Sequence, residues 1–141
     1  MKFEFFTSTP FQTKKAGKLL AEEILKSKPG KKAFVVGLVG DLGGGKTTFL
    51  QGFSRGLGIK GRVLSPTFII MRRFNNFYHI DCYRIKKPQE LIDLGLKKIM
   101  ANPKNIVAIE WADRVCQIMP PKTVWVNFEF INEKKRKIVI K

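Results

Sequence analysis

Eight residues, Gly40-Asp41-Leu42-Gly43-Gly44-Gly45-Lys46-Thr47, constrain this chain more than any other stretch. They fit the spacing G-x-x-x-x-G-K-[ST], with Gly40, Gly45, Lys46 and Thr47 at its defined positions. Glycines let the backbone take conformations closed to residues with a Cβ, so successive N–H groups can curl around phosphate oxygens. A helix that begins at such a loop adds its free N–H groups and the positive end of its dipole. Lys46 is a mobile point charge able to reach the β- and γ-phosphates of a nucleoside triphosphate, and the Thr47 hydroxyl can ligate Mg²⁺.

The pattern carries meaning only between a strand and a helix, and the flanks supply both. Phe34-Val35-Val36-Gly37-Leu38-Val39 is a nearly unbroken apolar run, which predicts a buried parallel strand. Phe49 to Leu57 predicts a helix with Phe49, Leu50, Phe53 and Leu57 on one face. The chain is therefore expected to bind a nucleoside triphosphate.

Elsewhere the punctuation is regular. Lys2 to Thr7 reads as a Phe-rich first strand, and Ser8 or Thr9 before Pro10 as a helix start. That helix is expected to turn Ala16, Leu19, Leu20 and Ile24 inward, with Ala21 beside them, and to end near Lys26 ahead of Pro29-Gly30. Phe68 to Phe74 and Phe77 to Asp81 are expected to be strands joined through Asn75-Asn76, residues that tolerate the left-handed backbone of a tight hairpin. A short helix is predicted from Pro88 to Leu94, then a buried strand Asn105 to Glu110, a helix or turn from Trp111 to Met119, and two strands around Asn132 to Lys135. The order β-α-β-loop-α-ββ-α-β-α-ββ predicts a single α/β domain over residues 1–141, a phosphate-loop fold with a central mixed β-sheet flanked by helices and extended by antiparallel hairpins. Ligand is expected at the carboxyl ends of the parallel strands.

Only eleven carboxylates exist, so the search for an acid to serve metal or attacking water is short. Two close buried strands: Asp81 after Phe77–Ile80 and Glu110 after Ile106–Ile109. Asp81 has an alternative task as a cap or as a partner of Arg84. Glu110 has less of one, because a carboxylate closing so apolar a run is costly without a task. Thr67, in Ser65-Pro66-Thr67, either senses the γ-phosphate as switch loops do or opens the next strand behind a rigid Pro66 turn. His79, the single histidine, is read as a core residue rather than a base.

Composition sets the surroundings. Twenty-seven Lys and Arg against eleven Asp and Glu give a formal charge of +16, which attracts RNA, DNA or anionic protein surfaces but equally reflects a general lysine bias. A hydrophobic content of 44% with twelve Phe supplies a core without cross-links, so Cys82 and Cys116 are expected as reduced, buried thiols. With one histidine and no C-x-x-C pair, a zinc site is not expected. Neither a signal peptide nor a run of about 20 apolar residues is present, so a cytoplasmic protein without membrane association is expected.

Four blocks in this order and spacing resemble the TsaE (YjeE) family: Gly40-Asp41-Leu42-Gly43-Gly44-Gly45-Lys46-Thr47-Thr48-Phe49, Ser65-Pro66-Thr67-Phe68, His79-Ile80-Asp81-Cys82-Tyr83-Arg84 and Ile109-Glu110-Trp111-Ala112-Asp113-Arg114. The likeness extends to Thr13, Gly17 and Ala21 and to the basic Arg136-Lys137-Ile138-Val139-Ile140 ending. Gly44 stands where the family usually has Ala. The resemblance implies a small ATPase that binds ATP with Mg²⁺, hydrolyses it slowly, and supports turnover of the TsaD–TsaB pair in forming threonylcarbamoyladenosine beside the anticodon of tRNAs. It implies that residues 41–48 hold the nucleotide, with Lys46 and Thr47 on phosphate and metal and Thr13 near the adenine. It implies that Asp81 and Glu110 serve the metal and the attacking water, and that Trp111 belongs to the same block. The alternative from the motif alone is a small-molecule or nucleotide kinase. A GTPase is disfavoured because no Asn-Lys-x-Asp segment is present to read guanine, and a plain RNA-binding module would leave the loop without a task.

Overall fold

The computed structural model describes residues 2–40, 45–61 and 70–141. The loop residues Asp41 to Gly44, and Thr67 with its Ser65-Pro66 turn, lie outside the described residues. The chain forms two compact units, one built from segments within 1–28, 40–65 and 126–141, the other from 29–39 and 66–125.

In the first unit β1 (Phe3–Thr7) pairs antiparallel with β7 (Lys135–Ile140), and β7 pairs antiparallel with β6 (Val124–Asn132). The register sets Phe5, Ile138 and Phe128 side by side, so all three share a face. Two helices belong to this unit, α1 (Pro10–Lys26) and α2 (Lys46–Gly56). The start of α1 is specified locally. The Thr9 hydroxyl accepts the Gln12 N–H at 3.2 Å, the Gln12 side chain accepts the Ser8 N–H at 2.6 Å, and Pro10 takes the first helical position.

The buried face of α1 differs from the periodicity forecast. Thr13, Ala16, Gly17, Ala21 and Ile24 turn inward, while Leu19 is 49% exposed and Leu20 only half-buried. The reason lies in α2. A Cβ on Gly17 would stand 2.0 Å from the Phe49 carbonyl oxygen, and one on Gly52 would stand 1.8 Å from that of Lys14. The two backbones meet almost directly, so the small residues of α1 must face α2 and its leucines are displaced to the flanks. Phe49, Leu50 and Phe53 fill the unit's core, and the Phe49 ring meets Phe128 edge-on at 5.3 Å.

The second unit is organised by β2 (Phe34–Gly40), β5 (Ile106–Glu110) and β4 (Phe77–Asp81), which pair in parallel in that order, with β3 (Met71–Phe74) antiparallel to β4. The β3–β4 hairpin turns at Asn75, whose φ of 56° is the left-handed backbone that Asn tolerates. Val35, Val107, Ile109, Tyr78 and Ile80 point to one face and join Cys82, Ile85, Leu91, Leu96, Ala112 and Val115 in a buried cluster. The covering segments are α3 (Gln89–Asp93), α4 (Leu96–Ala101) and a 3-10 helix over Ala112–Ile118.

The separate α4 was not expected from sequence. Gly95, at φ 91°, follows one short helix and starts the next, so the segment after Leu94 turns into a second helix. The thiols also divide: Cys82 is fully buried but Cys116 is exposed, since the 3-10 turn rotates it away from Val115. Among the described residues, no helix is long and apolar enough to cross a membrane.

Candidate nucleotide site

In the first unit the phosphate-loop motif can be followed at both ends. Gly40 has φ 149°, and a Cβ there would lie 2.6 Å from the Phe128 carbonyl oxygen, so this position excludes any other residue. Gly45, at φ 101°, leads directly into α2 at Lys46. That helix start has no side-chain cap from Gly45 and no acid in its first turn. The Lys46 side chain is buried, and its Nζ donates to the Gly40 carbonyl oxygen, bridging the two ends of the loop. Thr47 and Thr48 are half-buried on the same first turn.

A pocket of about 250 Å³ beside that turn brings Gly45 and Thr48 together with Thr7 and Thr13, and with Lys134 and Arg136 of the β6–β7 hairpin. The Thr13 hydroxyl donates to that of Thr7 at 2.9 Å, both buried, which fixes the start of α1 against the end of β1. In the sequence, only family likeness ties Thr13 to a nucleotide. The Lys134 and Arg136 contribution was missed as a site feature, although the run Lys134-Lys135-Arg136-Lys137 is a visible signal.

In the second unit the register aligns Leu38, Glu110 and Asp81 across β2, β5 and β4, at the carboxyl ends of β5 and β4. Both sequence-predicted acids therefore close adjacent strands on one face. Glu110 is 2% exposed and Asp81 half-buried. Asp81 also accepts the Tyr83 N–H at 2.9 Å, which closes a turn rather than capping a helix, since the next helix begins only at Gln89.

His79 lies two residues before Asp81 on the same face of β4, diagonal to Glu110 on β5. Its Nε2 lies 2.7 Å from Glu110 Oε2, with both side chains buried, while its Nδ1 has no hydrogen-bond partner among the described residues. The core reading of His79 holds for its burial, but the residue also engages the one buried acid of this cluster. No spacing in the sequence signals this pair, because it depends on the register of β4 against β5.

Trp111 follows Glu110 with φ 57° and turns the chain into the 3-10 helix. Its ring lies 5.2 Å from that of Tyr83, and the Arg114 guanidinium lies 5.4 Å from each ring centre. Burial, reinforced by the neighbouring Asp81 charge, pushes the Cys82 thiol up from 9.0 to about 12, so it is inert as a nucleophile.

A strand ending at Gly40, a second positive-φ glycine at Gly45, and a helix that begins there with a buried lysine define a phosphate-loop α/β protein. The family model described as threonylcarbamoyl adenosine biosynthesis protein TsaE matches residues 7–138. The chain is 37% identical over 136 residues to the tRNA threonylcarbamoyladenosine biosynthesis protein TsaE of Bacillus subtilis, covering 94% of this chain and 80% of that protein. The protein of the same name from Haemophilus influenzae is 36% identical over 129 residues, covering 89% and 80%. A crystal structure of Bacillus subtilis YdiB superposes with a TM-score of 0.79 at 30% identity, covering 99% of this chain and 84% of that one. This chain belongs to the TsaE family, whose members act in tRNA threonylcarbamoyladenosine biosynthesis.

Proposed function

We propose that this chain binds ATP with Mg²⁺ on its phosphate loop, hydrolyses it slowly, and uses the cycle to support turnover of a TsaD–TsaB pair that forms threonylcarbamoyladenosine on tRNA. The observation that carries the nucleotide reading is the buried Lys46 bridging to Gly40 at the start of α2. A buried ammonium held at the start of this helix is a positive charge placed where a phosphate would pair with it through charge-assisted hydrogen bonds.

The donor set suits the metal. Magnesium is a hard cation held by a few oxygens and usually completed by phosphate and water. Of the residues read as its ligands, Thr47 would offer a hydroxyl and Asp81 and Glu110 carboxylates. When bound, the metal would neutralise charge developing on the phosphates.

The residues then divide the work. Lys46 and the loop motif over residues 41–48 would hold the β- and γ-phosphates, and Thr47 would hold the metal. Glu110 would orient the attacking water and accept its proton, and Asp81 would serve the metal. The pocket containing Thr13, Thr48 and Arg136 takes the adenosine end, which the continuity of its lining with Gly45 supports. Trp111, set next to Glu110 in the chain and pinned by Tyr83 and Arg114, supports the same acid block.

Calorimetric titration with ATP and Mg²⁺ tests the binding half of this reading. Saturable binding lost in Lys46→Ala is the expected result; equal binding by both proteins overturns it.

A further inference from the structure

We propose that the groove between the outer flanks of α1 and α2 binds a single-stranded RNA segment, a site separate from the nucleotide pocket. The close crossing at Gly17 and Gly52 leaves the longer side chains on either side as walls. Between them runs a groove of about 590 Å³ lined by Lys14, Lys15, Lys18, Arg55, Phe11 and Leu19, with Glu22 as its one carboxylate among the described residues. None of the four cations forms an ion pair or a hydrogen bond through its side chain with another described residue. Phe11 is 74% exposed and Leu19 49% exposed at the same place.

This combination departs from an ordinary solvated helix face. Such a face interleaves acids with its lysines, as Glu23 and Lys26 do further along α1. Here the cations of two different helices converge on one concavity with an aromatic ring standing in it. Unpaired cations over a groove track a phosphate backbone, and an exposed ring offers a platform on which an unstacked base can lie. That favours single-stranded RNA over an acidic peptide, which has charge to match the lysines but no flat face to match Phe11. The +16 charge of the chain adds a field that draws in any polyanion. The inference is independent of the ATPase reading, since the groove uses the C-terminal half of α2 and the phosphate loop its start.

The test is fluorescence anisotropy of the full chain with a labelled single-stranded RNA, run across a salt series and without nucleotide. Lys14→Ala/Lys15→Ala/Lys18→Ala/Arg55→Ala is compared with Lys97→Ala/Lys98→Ala/Lys104→Ala/Lys122→Ala, which removes the same charge from exposed positions of the other unit. The groove variant is expected to lose about tenfold or more in affinity and about three from the slope of log affinity against log salt, while the control changes little. Phe11→Ala is expected to weaken binding without moving the slope. Equal losses in both quadruple variants would reduce the effect to net charge and overturn the site. So would no RNA binding at low salt, or tighter binding of a polyglutamate peptide than of RNA, which would turn the groove into a protein-docking surface. Circular dichroism confirms that each variant is folded.

Discussion

His79 and Glu110 form a buried pair across two parallel strands, with Nε2 2.7 Å from Oε2, and the geometry follows from register alone. His79 stands opposite Ala108, so Glu110 is the next residue along β5 on the same face. A carboxylate closing an apolar strand thus has its orientation fixed by an imidazole that solvent does not reach.

Removing that imidazole tests what it does for the acid. His79→Ala is expected to lower ATP turnover by about tenfold or more while leaving KM nearly unchanged, the pattern of a positioning residue. It should also cost about 1–3 kcal/mol of stability, because Glu110 is left buried without its partner. Steady-state kinetics beside urea unfolding separate the two effects. Unaltered turnover in a folded variant would reduce the pair to core packing.

Lys46→Ala deletes the charge that bridges the loop. A charge-assisted contact is worth about 1.5–3 kcal/mol, so ATP affinity should fall by about ten- to a hundredfold. Thermal shift with and without nucleotide checks this: the unaltered chain should gain melting temperature with ATP and Mg²⁺, and the variant should not.

The helix crossing makes a prediction independent of function. A Cβ on Gly52 would lie 1.8 Å from the Lys14 carbonyl oxygen, so Gly52→Ala must push α1 and α2 apart. Overpacking of this kind costs about 1–3 kcal/mol, against the gain in helix propensity that alanine brings elsewhere. A lowered urea midpoint is expected; an unchanged or raised one would mean that the crossing yields without cost.

The thiols should differ in both rate and pH dependence. Exposed Cys116 is expected to react with a disulfide reagent in the native state and buried Cys82 only after unfolding, so one thiol titrates before denaturant and two after. Below pH 9.0 the protonated Cys82 leaves folding unopposed. Above it the unfolded chain ionises this thiol while the folded chain keeps it protonated up to about 12, so stability falls with rising pH across that interval. Cys82→Ala should flatten that part of the alkaline decline in an unfolding series.

The parts of the fold legible in the sequence are those specified by neighbours in the chain. Thr9 before Pro10 started α1, Asn75 turned the hairpin, and the motif from Gly40 to Thr47 joined a strand to a helix. The buried side of α1 was not legible, because apolar periodicity favours Leu19 whereas contact with Gly52 and the Phe49 backbone demands the small side. Gly95 is ambiguous for the same reason: a left-handed glycine ends a helix whether or not another follows. Of the candidate site, both strand-closing acids were found from the ends of apolar runs. The His79 contact needed the register of β4 against β5, and the Arg136 contribution needed the fold to bring the last hairpin beside the start of α1.

The most direct test of the central claim is steady-state ATP hydrolysis by the purified chain, with and without a TsaD–TsaB pair from the same source. The account predicts weak activity alone, a steep rise when the pair is added, and loss of that rise in Glu110→Ala. Hydrolysis indifferent to the pair, or unchanged by Glu110→Ala, would contradict it.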